Sequence, residues 1–345
     1  MEASTSSTIT YGDRPLSGRS PRSRLADPVF RGALAAIAAL VLLLIVFFFI
    51  FLLDKARPAL AHQGVFSFIF TNDWNPSKEI FGGWPLVAGT LITSAIALIL
   101  GVPVAVATAL YVNELCPGWL RTPMTILVEL LAAVPSVVYG LWGVLVIIPA
   151  LKPAEQWFAD TFSFLPFVGG AVAGPNYFIA GLILSIMILP IVSAISREVV
   201  ATVPPDLKEA ALALGATRWE MIRIAVLPYS RSGIVGASML GLGRAIGETI
   251  AVTLIIGNAP TLGKQLFDQG YTLAAVIANE FGEAANDKLH SGALIAAGLV
   301  LFLLTLVINA GARGLVVRAE RRSSGPPPAA AASTLSVTAS AGAEA

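Results

Sequence analysis

Six long apolar runs decide what this chain can fold into. Each is long enough to cross the roughly 30 Å hydrocarbon core of a bilayer as a helix; they are Gly32–Leu53, Pro85–Val112, Pro123–Leu151, Tyr177–Ile195, Gly233–Gly257 and Gly292–Val317. Each run is expected to be helical, because a backbone in hydrocarbon must satisfy its own polar groups. Charged residues make up 12% of the chain, whereas soluble domains carry about 25%. The sequence predicts an all-α integral membrane protein with six transmembrane helices.

The first run is also preceded by arginines, as a cleaved signal peptide would be, and Ala59–Ala61 resembles a cleavage site. However, its 22 apolar residues exceed the roughly 7–15 of a signal sequence. We therefore expect a retained helix.

Lysines and arginines are divided unevenly between the two sides of the membrane. Fifteen lie in the N-terminal tail, the second loop, the fourth loop and the C-terminal tail, and six lie in the alternate loops. By the positive-inside rule, both termini are expected in the cytoplasm.

The two ends of the chain differ in composition from the rest. Residues 1–28 are rich in Ser, Thr, Arg and Pro, and 321–345 in Pro, Ala and Ser. Such segments cannot bury enough apolar surface to offset the entropy of ordering. We predict two disordered cytoplasmic tails around a membrane domain at 29–320, which includes a cytoplasmic loop at 204–229.

That loop carries charges that exclude it from the bilayer. Glu209, Arg218, Glu220 and Arg223 lie within it, and each would cost roughly 2.5–3.5 kcal/mol at the centre of a membrane helix. The loop is therefore expected to face water, where a soluble partner can reach it.

The same loop has the signals of two short helices joined by a bend. Asp206 with Glu209, and Thr217 with Glu220, each have the three-residue spacing of a capping box. Gly215 lies between them, where it can adopt the left-handed conformation that ends a helix.

A pattern across this loop resembles the EAA loop of ABC importer permeases. It consists of Glu209, Ala210, Ala211, Gly215, Leu227 and Pro228. The family commonly has Ile two residues before the Leu-Pro pair, where this chain has Ala225. The resemblance implies that these residues dock into a cleft of a cytoplasmic ATPase subunit.

The fifth run contains two charges, Arg244 and Glu248, spaced as neighbours on one helix face. A charged pair within a span is expected to face the bundle interior. A guanidinium matches phosphate or another tetrahedral oxyanion bidentately, and Glu248 would neutralise it between transport events. A structural ion pair that holds two helices together is the alternative.

Three segments, 129–140, 241–252 and 277–281, are similar to motifs of PstC-type permeases of phosphate importers. The similarity covers about residues 30–320. It implies a type I ABC importer permease fold, with Arg244 and Glu248 taking part in phosphate passage.

Three further polar residues are candidates for the substrate path. Glu129 lies near the cytoplasmic end of the third run; it is predicted to pair with Arg244 or Arg121, or to extend to the membrane surface. Ser136 and Tyr139 flank Pro135, which is predicted to kink the helix. They can donate hydrogen bonds to an anion or to a neighbouring helix.

The sequence gives no evidence for a catalytic site, a nucleotide-binding site or a metal site. Gly263-Lys264 is followed by Gln265 where a P-loop needs Ser or Thr. Cys116 is the single cysteine, and His62 and His290 are expected to be isolated in outer loops. The net charge of +1 gives no basic excess for nucleic acid. We expect no enzyme activity, metal or cofactor in this chain.

The resemblance implies a multi-pass subunit of the bacterial inner or plasma membrane, surrounded by lipid. Its implied partners are a PstA-type permease in a heterodimer, two copies of a cytoplasmic ATPase that hold ATP and Mg²⁺, and an extracytoplasmic phosphate-binding protein. The alternatives are a permease for another oxyanion and a secondary phosphate transporter, which would not need a docking loop. A membrane-embedded lipid phosphatase would need a nucleophile and a base, which we do not find.

Overall fold

The computed structural model describes residues 21–165, 167–168, 172 and 174–323. This part of the chain forms thirteen α-helices: α1 (Pro21–Gln63), α2 (Val65–Phe70), α3 (Trp84–Leu110), α4 (Gly118–Ala133), α5 (Ser136–Trp142), α6 (Ile148–Thr161), α7 (Tyr177–Ala201), α8 (Pro205–Ala213), α9 (Arg218–Met221), α10 (Leu227–Gly247), α11 (Ile250–Ile255), α12 (Leu273–Glu280) and α13 (Lys288–Ser323). The fold is therefore all-α in its membrane region, as predicted.

Short irregular segments connect several of these helices. One π-helical turn, Tyr111–Leu115, continues α3; another, Gly143–Ile147, joins α5 to α6; a third, Ile222–Val226, joins α9 to α10. Single 3₁₀ turns lie at Pro76–Lys78 and Glu283–Asn286. A two-residue antiparallel hairpin pairs β1 (Trp74–Asn75) with β2 (Ile80–Phe81).

Two compact units divide the chain after Asp54. The described part of the first unit is the N-terminal stretch of α1. Apolar side chains are exposed along almost all of this stretch. An exposed apolar helix of this length is suited to solvation by lipid.

The second unit is built around α7, which packs against α3 and α10. Its helices approach closely because small residues lie at the contacts. A Cβ added at Gly181 would come within 2.5 Å of Ile96, and one at Gly241 within 2.6 Å of Val192. Close contact through small residues is the usual packing of membrane helices, where water cannot drive helices together.

Five helical stretches of the described chain are long and apolar enough to cross a membrane: Pro28–Gln63, Trp84–Leu115, Ser136–Thr161, Tyr177–Ala201 and Lys288–Gly314. The span predicted at Gly233–Gly257 is divided between α10 and α11. The span predicted at Pro123–Leu151 is likewise divided, between α4 and α5. The expected kink at Pro135 is thus a complete break in the helix.

The predicted tails lie mostly outside the described residues. Within them, the structure describes only 21–28 and 321–323, and these belong to α1 and α13. Those short stretches were wrongly assigned to disorder, because each continues the helix of the adjacent apolar run.

Gly181→Ala is expected to destabilise the helix core, although alanine is the better helix former. The new methyl group would collide with the Cβ of Ile96, which cannot rotate away, and overpacking typically costs about 1–3 kcal/mol. The melting temperature in detergent should fall by several degrees. The control is Gly118→Ala on α4, where an added Cβ meets nothing within 4 Å; an equal effect of both changes would contradict the packing.

Candidate functional site

The loop at 204–229 folds into two short helices joined by a bend, as its sequence predicts. Gly215 has φ +87°, and its N–H donates to the Leu212 carbonyl at 2.9 Å. The N–H of Ala216 donates to the Ala211 carbonyl at 3.2 Å. These two bonds form a Schellman motif at the end of α8.

The capping box at the start of α9 is also confirmed. The Thr217 hydroxyl accepts from the Glu220 N–H at 3.3 Å, and Glu220 Oε2 accepts from the Thr217 N–H at 2.8 Å. Hydrogen bonds from the Thr217 backbone and then its side chain lower the pKa of the exposed Glu220 carboxyl. Folding of this turn therefore gains stability above the ordinary Glu pKa and loses it in acid.

The predicted cap by Asp206 is wrong. Pro204 occupies the N-cap of α8 without a side-chain hydrogen bond, and Pro205 is the first helical residue. Proline fits this first position because its fixed φ is already helical and its missing N–H is not needed there. Asp206 therefore lies inside the first turn, where its negative charge interacts favourably with the positive end of the helix dipole.

The inner side of the loop forms a small core with the membrane helices. Ala211, Met221, Ile222 and Val226 pack with α3 and α7 through Leu110, Val200 and Val203. Of the predicted docking residues, Ala211 is thus directed inward and is only 7% exposed.

The outer side of the loop is open and partly apolar. Glu209, Ala210, Gly215 and Pro228 are exposed, and Leu227 is half-buried. Leu214 is 90% exposed, and Trp219 is 63% exposed. Large apolar side chains exposed together are typical of a protein interaction site.

Basic side chains fix this loop to the end of α3. Lys208 Nζ lies 2.6 Å from Glu114 Oε1, and Arg218 Nη1 donates to the Glu114 carbonyl at 3.4 Å. Arg121 donates to the carbonyls of Val112 and Asn113 at 3.0 and 2.6 Å. Cations at carbonyls that lack a partner stabilise a helix C-terminus, so these contacts join the loop to the π-helical turn that continues α3.

The third span is interrupted inside the membrane region. α4 ends at Ala133, Val134 is extended with ψ 126°, and α5 begins at Ser136. Pro135 causes the break, because it lacks an N–H and forces the residue before it out of the helical region. The Tyr139 hydroxyl donates to the Leu131 carbonyl at 2.8 Å, which satisfies one backbone group that the break frees.

The fifth span is interrupted as well, and this corrects the predicted geometry of its charged pair. α10 ends at Gly247, and Glu248 has extended backbone with φ −70° and ψ 127°. Glu248 Oε1 accepts from the Ala251 N–H at 3.5 Å, at the start of α11. Glu248 therefore lies between the two helices, two residues before α11 begins at Ile250. Within the described residues it forms no ion pair with Arg244. Flexible glycines at 243 and 247 weaken the continuous helix that the spacing predicted.

The two interrupted spans meet just beyond their breaks. α5 packs against α11, and a Cβ added at Gly140 would lie 2.7 Å from the Leu254 side chain and 3.1 Å from the Ala251 Cα. Arg244 is exposed and lies three residues before the end of α10 at Gly247. The structure therefore brings Arg244, Glu248 and the Ser136–Tyr139 turn to the same pair of breaks.

Glu129 is not part of this group. Its Oε1 lies 3.0 Å from Arg197 Nη2, so the predicted pairing with Arg244 or Arg121 is wrong. Arg121 is instead directed at the end of α3. The Glu129–Arg197 pair joins α4 to α7.

One polar network was not predicted from the sequence. Glu280 accepts hydrogen bonds from Trp74 Nε1 at 2.8 Å and Tyr271 Oη at 3.2 Å, and its carboxylate lies 2.9 Å from His290 Nε2. Burial raises the pKa of Tyr271. The expectation that His290 is isolated is wrong, because the network joins parts of the chain that are far apart in sequence. It holds the β1–β2 hairpin to α12 and α13.

Comparison with known proteins finds a matching family and several similar proteins. The family model described as "Binding-protein-dependent transport system inner membrane component" matches residues 101–321. The phosphate transport system permease protein PstC of Mesorhizobium japonicum is 44% identical over 307 residues, which cover 88% of this chain and 93% of the relative. The PstC of Pasteurella multocida is 46% identical over 262 residues, with coverage of 74% and 81%. PstC 2 of Mycobacterium tuberculosis is 43% identical over 300 residues, with coverage of 85% and 92%.

Solved structures show a similar fold at lower sequence identity. A chain of a bacterial ABC transporter involved in the import of the acidic polysaccharide alginate matches with a TM-score of 0.55 and 21% identity, over 86% of this chain and 99% of that chain. The same kind of transporter in complex with alginate pentasaccharide-bound periplasmic protein matches with a TM-score of 0.54 and 22% identity, over 86% and 98%.

Gly215→Val is expected to open the bend between α8 and α9, because a β-branched residue is strongly disfavoured at positive φ. Amide hydrogen exchange across 205–221 should accelerate, since the Schellman bonds would be lost. Gly215→Asn is the matched control, as asparagine tolerates the left-handed region, and should exchange nearly as the parent does. Unchanged protection in the valine variant would contradict this description of the bend.

Proposed function

The chain belongs to the PstC family of phosphate transport permeases, and from this premise we propose how its named residues carry phosphate and couple to ATP. It is a permease subunit of the phosphate ABC importer in the bacterial inner membrane. The proposal concerns the path at the paired helix breaks, the docking surface of the loop and the identity of the partners.

Arg244 carries the proposal for the path. It is an exposed cation inside the fifth span, and within the described residues no carboxylate neutralises it. About 20 Å of helix rise separates it from Arg231 near the cytoplasmic end of α10. A charge at such depth is tolerated where it faces water or another protein surface rather than lipid. We therefore place Arg244 on the wall of the phosphate path.

The break before Ser136 adds to the attraction for an anion. Ser136 begins a helical stretch that continues to Thr161, and the N-terminus of a long helix carries a partial positive charge with free N–H groups. The Ser136 hydroxyl is half-buried. We assign Ser136 the role of a second donor to phosphate.

Glu248 and the two other candidate residues receive different roles. Glu248 lies across the break from Arg244, so flexing at Gly247 changes the distance between the two charges; we propose that it competes with phosphate for Arg244 and limits how tightly the anion binds. Tyr139 holds the break through its bond to Leu131. Glu129 holds α4 against α7 through Arg197, at the edge of the path rather than on it.

The exposed face of the cytoplasmic loop is the proposed docking surface for an ATPase. Glu209, Ala210, Gly215, Leu214 and Trp219 supply its surface, and the Lys208–Glu114 and Arg218 contacts join it to α3. Movement of the ATPase would thus reach the membrane helices without passing through a flexible linker. ATP and Mg²⁺ are assigned to the ATPase, and this chain is proposed to bind no cofactor.

The assembly follows from the same geometry. Arg244 is exposed in the isolated chain, so a second membrane subunit must complete the wall around it; we propose a PstA-type permease. Each permease would engage one ATPase copy, which gives two. An extracytoplasmic phosphate-binding protein would deliver the anion.

A secondary transporter and a permease for another oxyanion are the competing assignments. A secondary transporter would not need an exposed docking face that is joined to α3. The second is compatible with Arg244 alone, since a guanidinium accepts any tetrahedral oxyanion; phosphate is favoured because the relatives are phosphate permeases.

Arg244→Gln is expected to reduce ATP-driven phosphate uptake into vesicles by roughly ten- to a hundredfold, the range that a lost charge-assisted hydrogen bond of about 1.5–3 kcal/mol gives. Assembly of the complex should persist. Lys152→Gln, an exposed outer residue, removes the same charge as a control and should transport normally. Normal uptake by the Arg244 variant would refute its place on the path.

Leu214→Asn is expected to weaken docking, because it removes an apolar side chain that the chain itself leaves exposed. The ATPase should co-purify in reduced amount, while the melting temperature of the permease pair stays within about a degree, as surface changes usually alter stability by less than 0.5 kcal/mol. Full co-purification and full coupling of ATP hydrolysis to uptake would count against the docking face.

A further inference from the structure

A groove of about 890 Å³ runs between α10 and α13. Its polar lining includes Ser232, Asn309 and Arg313, and its apolar lining includes Met239, Leu240 and Leu306. Arg244 does not line it. The groove therefore extends along α10 as far as Gly243, next to Arg244, without including Arg244 itself.

Polar and apolar residues occupy opposite ends of this groove. α10 begins beside the cytoplasmic loop and α13 runs toward the C-terminal end of the chain, so Ser232 and Arg313 lie at the same end, near the cytoplasmic surface. Leu240 and Leu306 lie further into the membrane. From Ser232 to Gly243 the helix rises about 16 Å, which is half the thickness of the hydrocarbon core. The groove thus has the shape and polarity of one leaflet of the bilayer.

We propose that this groove binds an acidic phospholipid of the cytoplasmic leaflet. Arg313 and the Asn309 and Ser232 side chains would hold the phosphate of the headgroup, and an acyl chain would lie along Met239, Leu240 and Leu306. Basic pockets between membrane helices on the cytoplasmic side are suited to acidic headgroups. Within the described part of the chain Arg313 has no paired carboxylate, so a lipid phosphate would neutralise its positive charge.

The physical alternatives fit the groove less well. A helix of another subunit would bury Arg313 beside apolar surface, and an unpaired buried charge is costly. A free phosphate ion has the same headgroup chemistry, but it would leave the apolar half of the groove unfilled. An amphiphile satisfies both ends at once.

The first experiment measures phosphatidylglycerol retained by the intact transport complex, purified from nanodiscs of phosphatidylglycerol and phosphatidylcholine. Arg313→Gln should lower the retained phosphatidylglycerol at this site about fivefold, the effect expected for one basic residue near a lipid surface. Arg231→Gln is the matched control: it removes an exposed arginine from the same end of α10 without touching the groove lining. Equal retention by the two variants would overturn the proposal.

A second variant tests the apolar half independently. Gly236 lines the groove, and a Cβ there meets nothing within 4 Å, so Gly236→Leu should fill the groove without disturbing the fold. It should exclude the lipid while the melting temperature of the lipid-free complex is unchanged; retained lipid would contradict the site.

Two further results separate the lipid from its rivals. Millimolar inorganic phosphate should not displace phosphatidylglycerol, and displacement would identify free phosphate as the occupant. A photoreactive group in place of Leu306 should capture lipid, and capture of the neighbouring permease would show that a helix fills the groove. Arg244→Gln should retain the lipid, which keeps this test distinct from the test of phosphate transport.

Discussion

The cost of leaving backbone groups unsatisfied in hydrocarbon governs this structure. A break in a membrane helix is tolerated only where other groups satisfy the freed backbone or where the break lines a protein cavity. The two breaks in this chain meet that requirement in different ways. The Tyr139 hydroxyl donates a hydrogen bond to the Leu131 carbonyl. The Glu248 carboxylate accepts a hydrogen bond from the Ala251 N–H. Because α5 packs against α11, the breaks are neighbours, and Arg244 lies beside them.

Packed helices join these breaks to the loop at 204–229. The loop is fixed to α3 by Lys208 and Arg218, and its inner side packs on α7. α7 in turn forms the most extensive contacts of the core with α3 and α10. In the proposed mechanism a displacement of the loop would reach α10, which ends at the break beside Arg244. The break after Gly247 separates the two charges of the fifth span.

Local features of this molecule could be predicted from the sequence, whereas several long-range ones could not. The apolar runs fixed the helical membrane fold, and the Gly215 and Thr217 signals gave the bend and cap of the loop correctly, because capping depends on residues a few positions apart. The Glu129–Arg197 pair joins residues 68 positions apart, and the Trp74–Glu280 bond joins residues 206 apart. Neither has a local signature. The break at Glu248 was missed because the i, i+4 spacing of Arg244 and Glu248 suits a continuous helix equally well, although the glycines at 243 and 247 weaken such a helix.

The account depends most on Arg244 facing a path that opens alternately to the two sides of the membrane. The direct measurement is labelling of an Arg244→Cys variant, in a complex whose Cys116 is replaced by serine, with a membrane-impermeant thiol reagent. The account predicts labelling from one side without nucleotide and labelling from the other side when ATP is bound. A position that no reagent reaches from either side would show that Arg244 is a buried structural residue and would contradict the account.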